Sequence, residues 1–404
     1  MSGAGKRLPY ATQDIDASDL LAVETQLRDD WLTQGPRVAE FEEKLAKFVG
    51  ARFAVAVANG TAALHLACLA AGLRAGDVAL VPDITFVATA NAVRYVGATP
   101  ALIDVESDTG LMNLEHVESR FKAATSSSPI KAVLPVHFAG SAPDMARLRR
   151  LASAAGACVI EDAAHGLGTT YEVDGKTYQA ASCAHADMGI LSFHPVKHIT
   201  TGEGGAITTN DPSLYQELLE LRSHGITRDP ARMRGSDGPW YYEQRSLGYN
   251  YRITDLQCAL GISQLARLPR FLEQRRRIAA RYDALFAAPE FGGLCTPLRV
   301  PTGVQSAYHL YVLRVLPRAG EGLEGVAGRR RVLFEKLRET NIFPQVHYVP
   351  VHRQPSFRDA GLSSGSFEGA DAYYAGCISL PMFPRMDVSD ADRVAASVLE
   401  ILKA

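Results

Sequence analysis

Three short segments of this chain each join an apolar strand to a residue able to do chemistry. In ILSFHPVKHITTGEGGAITTND, Lys197 stands just past a buried-strand pattern and is followed by Thr200, Thr201, Gly202, Gly204 and Gly205. A lysine in a partly desolvated place loses part of the penalty for being neutral, and a neutral amine is a nucleophile. Ser192, earlier in the segment, is placed to offer a hydroxyl to a phosphate. Taken alone, a loop lysine is ordinarily a solvated surface residue. In VIEDAAHG, Asp162 directly follows an apolar strand, where a carboxylate is costly unless paired. A protonated heterocyclic nitrogen would suit it, since the carboxylate keeps that nitrogen charged and the ring able to draw electrons. An N-cap of the next helix is the other reading, and this segment by itself favours the cap. In VANGTAALHLACLA, Gly60 permits close backbone approach, and Thr61 and Ala62 open a helix whose free amides and dipole favour a phosphate. Glycine turns before helices are common and mostly structural, so this segment also needs the others.

The elements that must position these residues are legible as a pattern. Apolar runs at Phe53–Ala58, Val78–Val81, Thr99–Val105, Lys131–Phe138, Ala157–Glu161, Met188–Phe193 and Ala206–Thr209 read as strands. Helical stretches at Thr61–Ala71, Phe86–Tyr95, Leu114–Lys122 and Asp144–Ala155 fall between several of them. Strands rich in Val, Ile and Ala that alternate with helices predict a mainly parallel sheet covered on both faces. In such sheets, ligands collect where the strands deliver their carboxyl ends into loops. Beyond Asn210 come a helix at Leu214–Arg222, an exposed polar loop from Ile226 to Arg245, and a long helix from about Thr254 to Phe286. A smaller part follows, with a strand at His309–Val315, a helix at Arg330–Thr340, a short segment Val346–Pro350 and a last helix at Ala391–Lys403. The expected division is 1–270 for an N-terminal arm and large domain, and 271–404 for a linker helix and small α/β domain.

Composition narrows the function classes. The 404 residues are 47% hydrophobic and 21% charged, as in an ordinary globular protein. A formal net charge of -2 argues against dedicated binding to nucleic acid or an acidic membrane surface. The triplets Arg275–Arg277 and Arg329–Arg331 sit beside acidic residues in helical segments and read as solvated helix faces. MSGAGKRLPY has no apolar leader pattern and no run is long enough to span a bilayer, so a cytoplasmic protein is expected. Six scattered cysteines without CxxC spacing read as buried free thiols. His194 and His198 have the spacing of a metal pair, but Pro195 breaks the helix that spacing needs, and no metal is expected. The Gly202–Gly205 cluster is not followed by a helix, so it is no dinucleotide fingerprint.

Read together, NGTAAL, EDAAH and SFHPVKHITTGEGGA resemble the DegT-type nucleotide-sugar aminotransferases, and the resemblance runs from LTQGPRVAEFEEKLAKFVGA to QVHYVPVH and ISLP. It implies the fold-type I (aspartate aminotransferase-like) architecture, with pyridoxal 5'-phosphate as cofactor. By the resemblance, Lys197 forms the Schiff base with the cofactor and then serves as general acid and base of the proton shift. Asp162 pairs with the pyridine nitrogen, His165 packs at the ring's oxygen side, and Phe86 in TFVATANAV stacks on the ring. Gly60, Thr61, Ala62 and Ser192 surround the phosphate. Asn250 in GYNYR matches a position that reaches the phosphate from a neighbouring subunit, which implies a homodimer with shared active sites. Substrate contacts implied are Tyr10, Trp31, Leu32, Thr33, His347, Tyr348 and Pro350, although on their own an aromatic residue here reads as packing and His347 as an interior histidine.

Within the family, SFHPVKHITT, RSHGIT, GYNYRITDLQCALGISQL and QVHYVPVH are most similar to the subgroup serving pseudaminic acid synthesis. That subgroup implies a UDP-linked 4-keto-6-deoxy-N-acetyl-hexosamine as substrate and L-glutamate as amino donor. Many family members carry Gln where this chain has His165. Histidine there also occurs in 3-dehydratases of the superfamily, which replace the lysine; here Lys197 is present, which favours transamination. Rival expectations are a transaminase of a perosamine or 4-amino-4-deoxy-arabinose pathway, a cofactor-binding sensor without turnover, and a plain α/β scaffold.

Overall fold

The computed structural model describes residues 6–125 and 128–404. Residues 1–5, part of the stretch read above for a leader, lie outside the described residues. The central sheet has seven strands: β1 (Phe53–Val57), β2 (Val78–Pro82), β3 (Thr99–Ile103), β4 (Ile130–Val133), β5 (Cys158–Asp162), β6 (Met188–Ser192) and β7 (Gly205–Thr209). Their spatial order is β1-β7-β6-β5-β4-β2-β3. β2 pairs in parallel with β3 and β4, and the parallel pairing continues through β5 to β6. β7 alone runs opposite, antiparallel to both β1 and β6. The carboxyl ends of β1, β2, β5 and β6 therefore share one edge of the sheet, and the start of β7 reaches that edge because Gly205 lies opposite both Val57 and Ser192.

Side chains alternate across the sheet with the two-residue period of a strand. Val55 and Val57 of β1 enter one core, while Ala54 and Ala56 enter another on the opposite face. Helices cover both faces: α1 (Ala17–Leu27), α2 (Pro36–Val49), α3 (Gly60–Ala70), α4 (Val87–Tyr95), α5 (Leu114–Lys122), α6 (Met145–Ala154), α7 (Pro212–Arg222) and α8 (Asp255–Phe286). α8 starts with a capping box, in which Thr254 and Gln257 each bond the other's backbone amide. Its buried Leu265, Leu268, Leu272, Ile278, Tyr282 and Phe286 follow the three-to-four-residue helical period. The helix runs on through Pro269, so the expected division at 270/271 falls inside an unbroken element.

The small core gathers Leu8, Ile278, Tyr282, Leu313, Leu333, Leu337, Ile378 and Val394. It packs a three-stranded antiparallel sheet, β8 (Cys295–Pro297), β9 (Tyr311–Val315) and β10 (Cys377–Leu380), against α8, α9 (Leu323–Glu339) and α12 (Val388–Lys403). Between these lie the short α10 (Pro355–Asp359) and α11 (Glu368–Gly376). Relative to the sequence expectation, α9 starts seven positions earlier, at Leu323 rather than Arg330, because Gly325 and Gly328 hid its first turns. The hairpin Thr170–Val173 with Lys176–Gln179, β8 and β10 carried too short a pattern to be expected. Five cysteines are buried and Cys158 partly so, all as free thiols.

One expectation is corrected outright. Arg275 does not lie on a solvated face; it is fully buried, and its Nη1 donates to the carbonyls of Tyr308, His309 and Met382. Arg276 likewise donates to the Ser306 and Gly168 carbonyls. Irregular segments that pack together leave carbonyls without a ladder, and a buried guanidinium satisfies several at once. No helix among the described residues is long and apolar enough to cross a membrane.

Candidate active site

A cavity of about 950 Å³ opens at the shared strand edge. β1 ends in the turn to α3, where the Asn59 side chain accepts from the Ala62 amide at 2.8 Å. That cap leaves the amides of Gly60 and Thr61 without an intrahelical partner, at the positive end of the helix dipole. Ala62, expected beside Thr61 at a phosphate, lines the cavity with its amide committed to the cap. Across from Gly60 stands Ser192, close enough that a Cβ on Gly60 would come within 3.1 Å of the serine Cβ. Gly205 has no such latitude, since its Cβ would meet the Asn59 carbonyl at 2.6 Å. Two glycines thus bring a helix start and a serine hydroxyl together into a cradle suited to an anion.

Asp162 ends β5 and is 4% exposed. Thr89 donates its hydroxyl to one carboxylate oxygen at 2.7 Å and the Ala164 amide donates to the other at 3.1 Å. Thr85 in turn hydrogen-bonds Thr89 at 2.8 Å. Burial raises the Asp162 carboxyl pKa; the Thr89 and Ala164 bonds and the charges of Lys197 and His137 pull it down without offsetting that burial. The site therefore lacks a full counter-charge for this carboxylate, and a cationic ring nitrogen would supply one.

Lys197 sits in the loop after β6, which is pinned by Lys197 N–H to the His194 carbonyl, Thr201 N–H to the Phe193 carbonyl and the Thr200 hydroxyl to the same carbonyl. Its side chain is half-buried and lines the cavity, and its amine makes no hydrogen bond or ion pair among the described residues. Burial lowers its pKa from 10.5 to about 8, with Asp162 pulling the other way. We expect this to be measurable in the cofactor-free protein by competitive acetylation followed by peptide mass spectrometry. Only the neutral amine reacts, so labelling of Lys197 should rise with pH and reach half its plateau near pH 8, as against roughly 10.4 for an ordinary lysine. A midpoint near the ordinary value would place the amine in bulk water.

Phe86, 56% exposed, presents its ring to the cavity, and Tyr348 faces it at 6.0 Å between centroids. The Tyr348 hydroxyl lies 3.1 Å from His165 Nε2, and His347 bonds the Ser379 hydroxyl at 2.8 Å while tilting against Tyr10. Burial, reinforced by the charge of Lys197, pushes His165 well below its ordinary value and His347 down to about 3. These histidines stay uncharged near neutrality, so Lys197 and Asp162 are the groups between the walls able to carry charge. His194 reaches the cavity rim while His198 is buried against the Ala307 carbonyl, and the described residues hold no cluster of three metal-ligating side chains.

The cavity thus brings together Tyr10, Gly60, Thr61, Ala62, Phe86, Asp162, His165, Ser192, Lys197, His347 and Tyr348. Trp31, Leu32, Thr33, Asn250 and Pro350 are not among its lining residues. Trp31, Leu32 and Thr33 are exposed along the start of α8, where Leu32 accepts from the Asp255 amide and Thr33 bridges Thr254. Asn250 is exposed and bridges Ser223; Pro350 is buried at the start of a short turn. Sequence reasoning missed Thr85 and Thr89, although their i, i+4 spacing around Phe86 is a helical signal for a shared face. It also missed a far wall of His65, Tyr95, Tyr249 and Tyr251, which come from three separate segments.

An unpartnered amine, an under-compensated carboxylate and an anion cradle around one cavity are what pyridoxal phosphate requires of its host. The family model of the DegT/DnrJ/EryC1/StrS aminotransferases matches residues 13–399. The chain is 38% identical over 397 residues to the spore coat polysaccharide biosynthesis protein SpsC of Bacillus subtilis, covering 98% of this chain and 97% of that one. It is 35% identical over 396 residues to the UDP-4-amino-4,6-dideoxy-N-acetyl-beta-L-altrosamine transaminase of Campylobacter jejuni, covering 98% of each. The fold matches Helicobacter pylori PseC, an aminotransferase involved in the biosynthesis of pseudoaminic acid, with a TM-score of 0.86 at 28% identity over 98% of this chain and all of that one. The fold also matches Spr1654 of Streptococcus pneumoniae, described as a putative sugar aminotransferase and solved in PMP and PLP forms, with TM-scores of 0.85 and 0.86. This chain belongs to the DegT/DnrJ/EryC1/StrS family and is a pyridoxal-phosphate-dependent sugar aminotransferase of fold type I.

Proposed function

We propose that this protein is a cytoplasmic homodimer that transfers the amino group of L-glutamate to the C4 keto carbon of a UDP-linked 4-keto-6-deoxy-N-acetyl-hexosamine. The specific substrate of this reading is UDP-4-keto-6-deoxy-N-acetyl-β-L-altrosamine, on the pseudaminic acid route. The observation that carries it is the Lys197 amine, held near its own neutral state beside Asp162 in a cavity roomy enough for a sugar as well as the cofactor. The likeness to the Campylobacter transaminase supplies the sugar. Buried free thiols fit a reducing compartment.

When bound, pyridoxal phosphate supplies an aldehyde that captures amines and a ring that withdraws electrons from the adjoining carbon. Gly60, Thr61 and Ser192 would hold the phosphate, Asp162 the ring nitrogen and Phe86 the ring face. Lys197 takes a proton at Nζ and returns it one position away, a task for which an amine with a pKa near the working pH is suited. The Tyr348 hydroxyl and Thr89 keep His165 and Asp162 in fixed orientations. Tyr10, His347 and Tyr348 enclose the sugar side and exclude water.

Support for the dimer comes from the residues outside the cavity. The exposed Trp31–Thr33 are joined by backbone bonds to Thr254 and Asp255 at the start of α8, and Asn250, exposed too, lies four residues before Thr254. Leu20 and Leu21 of α1 and Leu247 leave apolar side chains uncovered on the described surface. Such a surface would complete a second copy's cavity. Mixing Lys197→Ala with Asn250→Ala chains, each impaired alone, should then restore about a quarter of wild-type sites at random exchange. A mixture no more active than its parts would refute sharing.

The substrate is tested with purified enzyme, L-glutamate and a panel of UDP-, GDP- and TDP-keto-sugars, the product's C4 configuration being read by NMR. A second reading is amination of another nucleotide sugar, such as a perosamine or 4-amino-4-deoxy-arabinose precursor; the higher identity is to SpsC, whose name gives spore coat polysaccharide biosynthesis and no particular sugar. Rapid conversion of the bound cofactor on adding glutamate would eliminate a sensor without turnover.

A further inference from the structure

Two irregular segments supply facing walls of the cavity. The loop after β2 brings Thr85 and Phe86; residues 347–353 bring His347 and Tyr348. Neither wall is held by a strand ladder. Phe86 precedes α4 without a side-chain cap, and residues 344–350 make a single bridge, Gln345 to Ser379. Segments of this kind hold a fixed spacing only through specific side-chain bonds.

Asp83, fully buried three residues before Phe86, makes two such bonds across the gap and a third through its backbone. Its carbonyl accepts from the Val351 amide at 2.9 Å, one carboxylate oxygen accepts from the His352 amide at 2.8 Å, and the other meets His352 Nδ1 at 2.5 Å. The His352 ring is fixed from its other side as well: it stacks on Phe367 at 4.8 Å, and its Nε2 lies 3.4 Å from Asp371, which Arg353 also binds. Nothing in the proposed chemistry uses Asp83 or His352, and neither lines the cavity.

We infer that Asp83 and His352 are positioning residues: their two-point clamp sets the gap between the Phe86 and Tyr348 walls and with it the grip on the sugar substrate. The inference rests on the proposal that a keto-sugar nucleotide enters this cavity. Removing the Asp83 carboxylate frees both side-chain bonds and leaves one backbone bond between the two walls, while residues 347 and 348 keep their bonds to Ser379, Tyr373 and His165, so the gap loosens at the Phe86 side and at 351–352. Removing the His352 ring leaves one bond to the carboxylate, a milder loss. Asn at position 83 keeps an acceptor for the His352 amide, and Asn at position 352 keeps a donor for the Asp83 carboxylate.

The test uses the holoenzyme in two measurements. In steady-state kinetics, Asp83→Ala should raise the sugar KM about tenfold or more with kcat held within about threefold, His352→Ala less, and Asp83→Asn and His352→Asn should stay near wild type. In hydrogen–deuterium exchange without sugar, Asp83→Ala should speed exchange in both the 83–86 and 347–353 segments. The inference is overturned if Asp83→Ala leaves sugar KM and both segments unchanged, or if the asparagine variants lose as much as the alanine ones. Should Asp83→Ala fail to fold, the His352 pair decides by the same criteria. A wild-type enzyme that accepts no UDP-keto-sugar while Asp83→Ala still loosens both segments would sink the substrate proposal and leave the clamp standing.

Discussion

Replacing Lys197 by alanine should lower transamination by at least about ten-thousand-fold, because one side chain supplies both the covalent anchor and the moving proton. Lys197→Arg should be equally inactive: a guanidinium keeps the positive charge but does not give up its proton in the working range. The pair of variants separates proton transfer from simple electrostatics, which Arg would preserve. A second readout does not depend on turnover. Borohydride treatment of the holoenzyme followed by proteolysis should leave the cofactor's mass on the peptide containing Lys197, and on no peptide of either variant. Cofactor mass on another lysine, or more than about one percent residual turnover, would contradict the assignment of Lys197.

Asp162→Asn should have opposite effects on activity and on stability. The amide keeps the shape and the bond to Thr89 but holds no negative charge opposite the ring nitrogen, so kcat should fall roughly 100- to 1000-fold, the usual scale for unpairing a buried charge. In the cofactor-free protein the sign reverses. The folded-state pKa of Asp162 is raised, mainly by burial, so between the unfolded and the folded value the native state binds more protons than the unfolded chain. Stability associated with this group is present at low pH and declines as pH rises through that window. Cofactor-free Asp162→Asn should therefore melt above cofactor-free wild type at pH 7, and the advantage should vanish in acid, as thermal scans at several pH values can establish. The variant also removes the attraction that pulls the Lys197 pKa upward, so acetylation of Lys197 should reach half-maximum at lower pH than in wild type.

The features most visible in the sequence were those carried by one continuous segment. Lys197, Ser192 and the glycines lie in one run, and Asp162 ends a strand whose apolar pattern is unmistakable. The seven sheet strands had the Val, Ile and Ala content that two-sided burial demands, so their places were evident even though the reversed direction of β7 was not. Local pattern does not encode strand direction. Thr89 was hidden for another reason: its hydroxyl matters only because α4 brings it to Asp162, 73 positions away. His65, Tyr249 and Tyr251 come from separate segments, and only folding turns them into one wall. Arg275 was misread because a charge in a helical segment beside acidic residues is ordinarily solvated; the carbonyls that cage it come from turns more than thirty and one hundred positions onward.

That cage has a consequence for how the molecule comes apart. α8 contributes Leu265, Leu268 and Leu272 to a large-sheet core and Ile278, Tyr282 and Phe286 to the small one, and Arg275 sits on the helix between the two groups. Melting the small body takes away the Tyr308 and Met382 carbonyls that bind Arg275 together with the apolar partners of the second half of the rod, and melting the large one strips the partners of its first half. Intermediates with one half intact are thereby made scarce, and heat should take the two halves down in a single cooperative step.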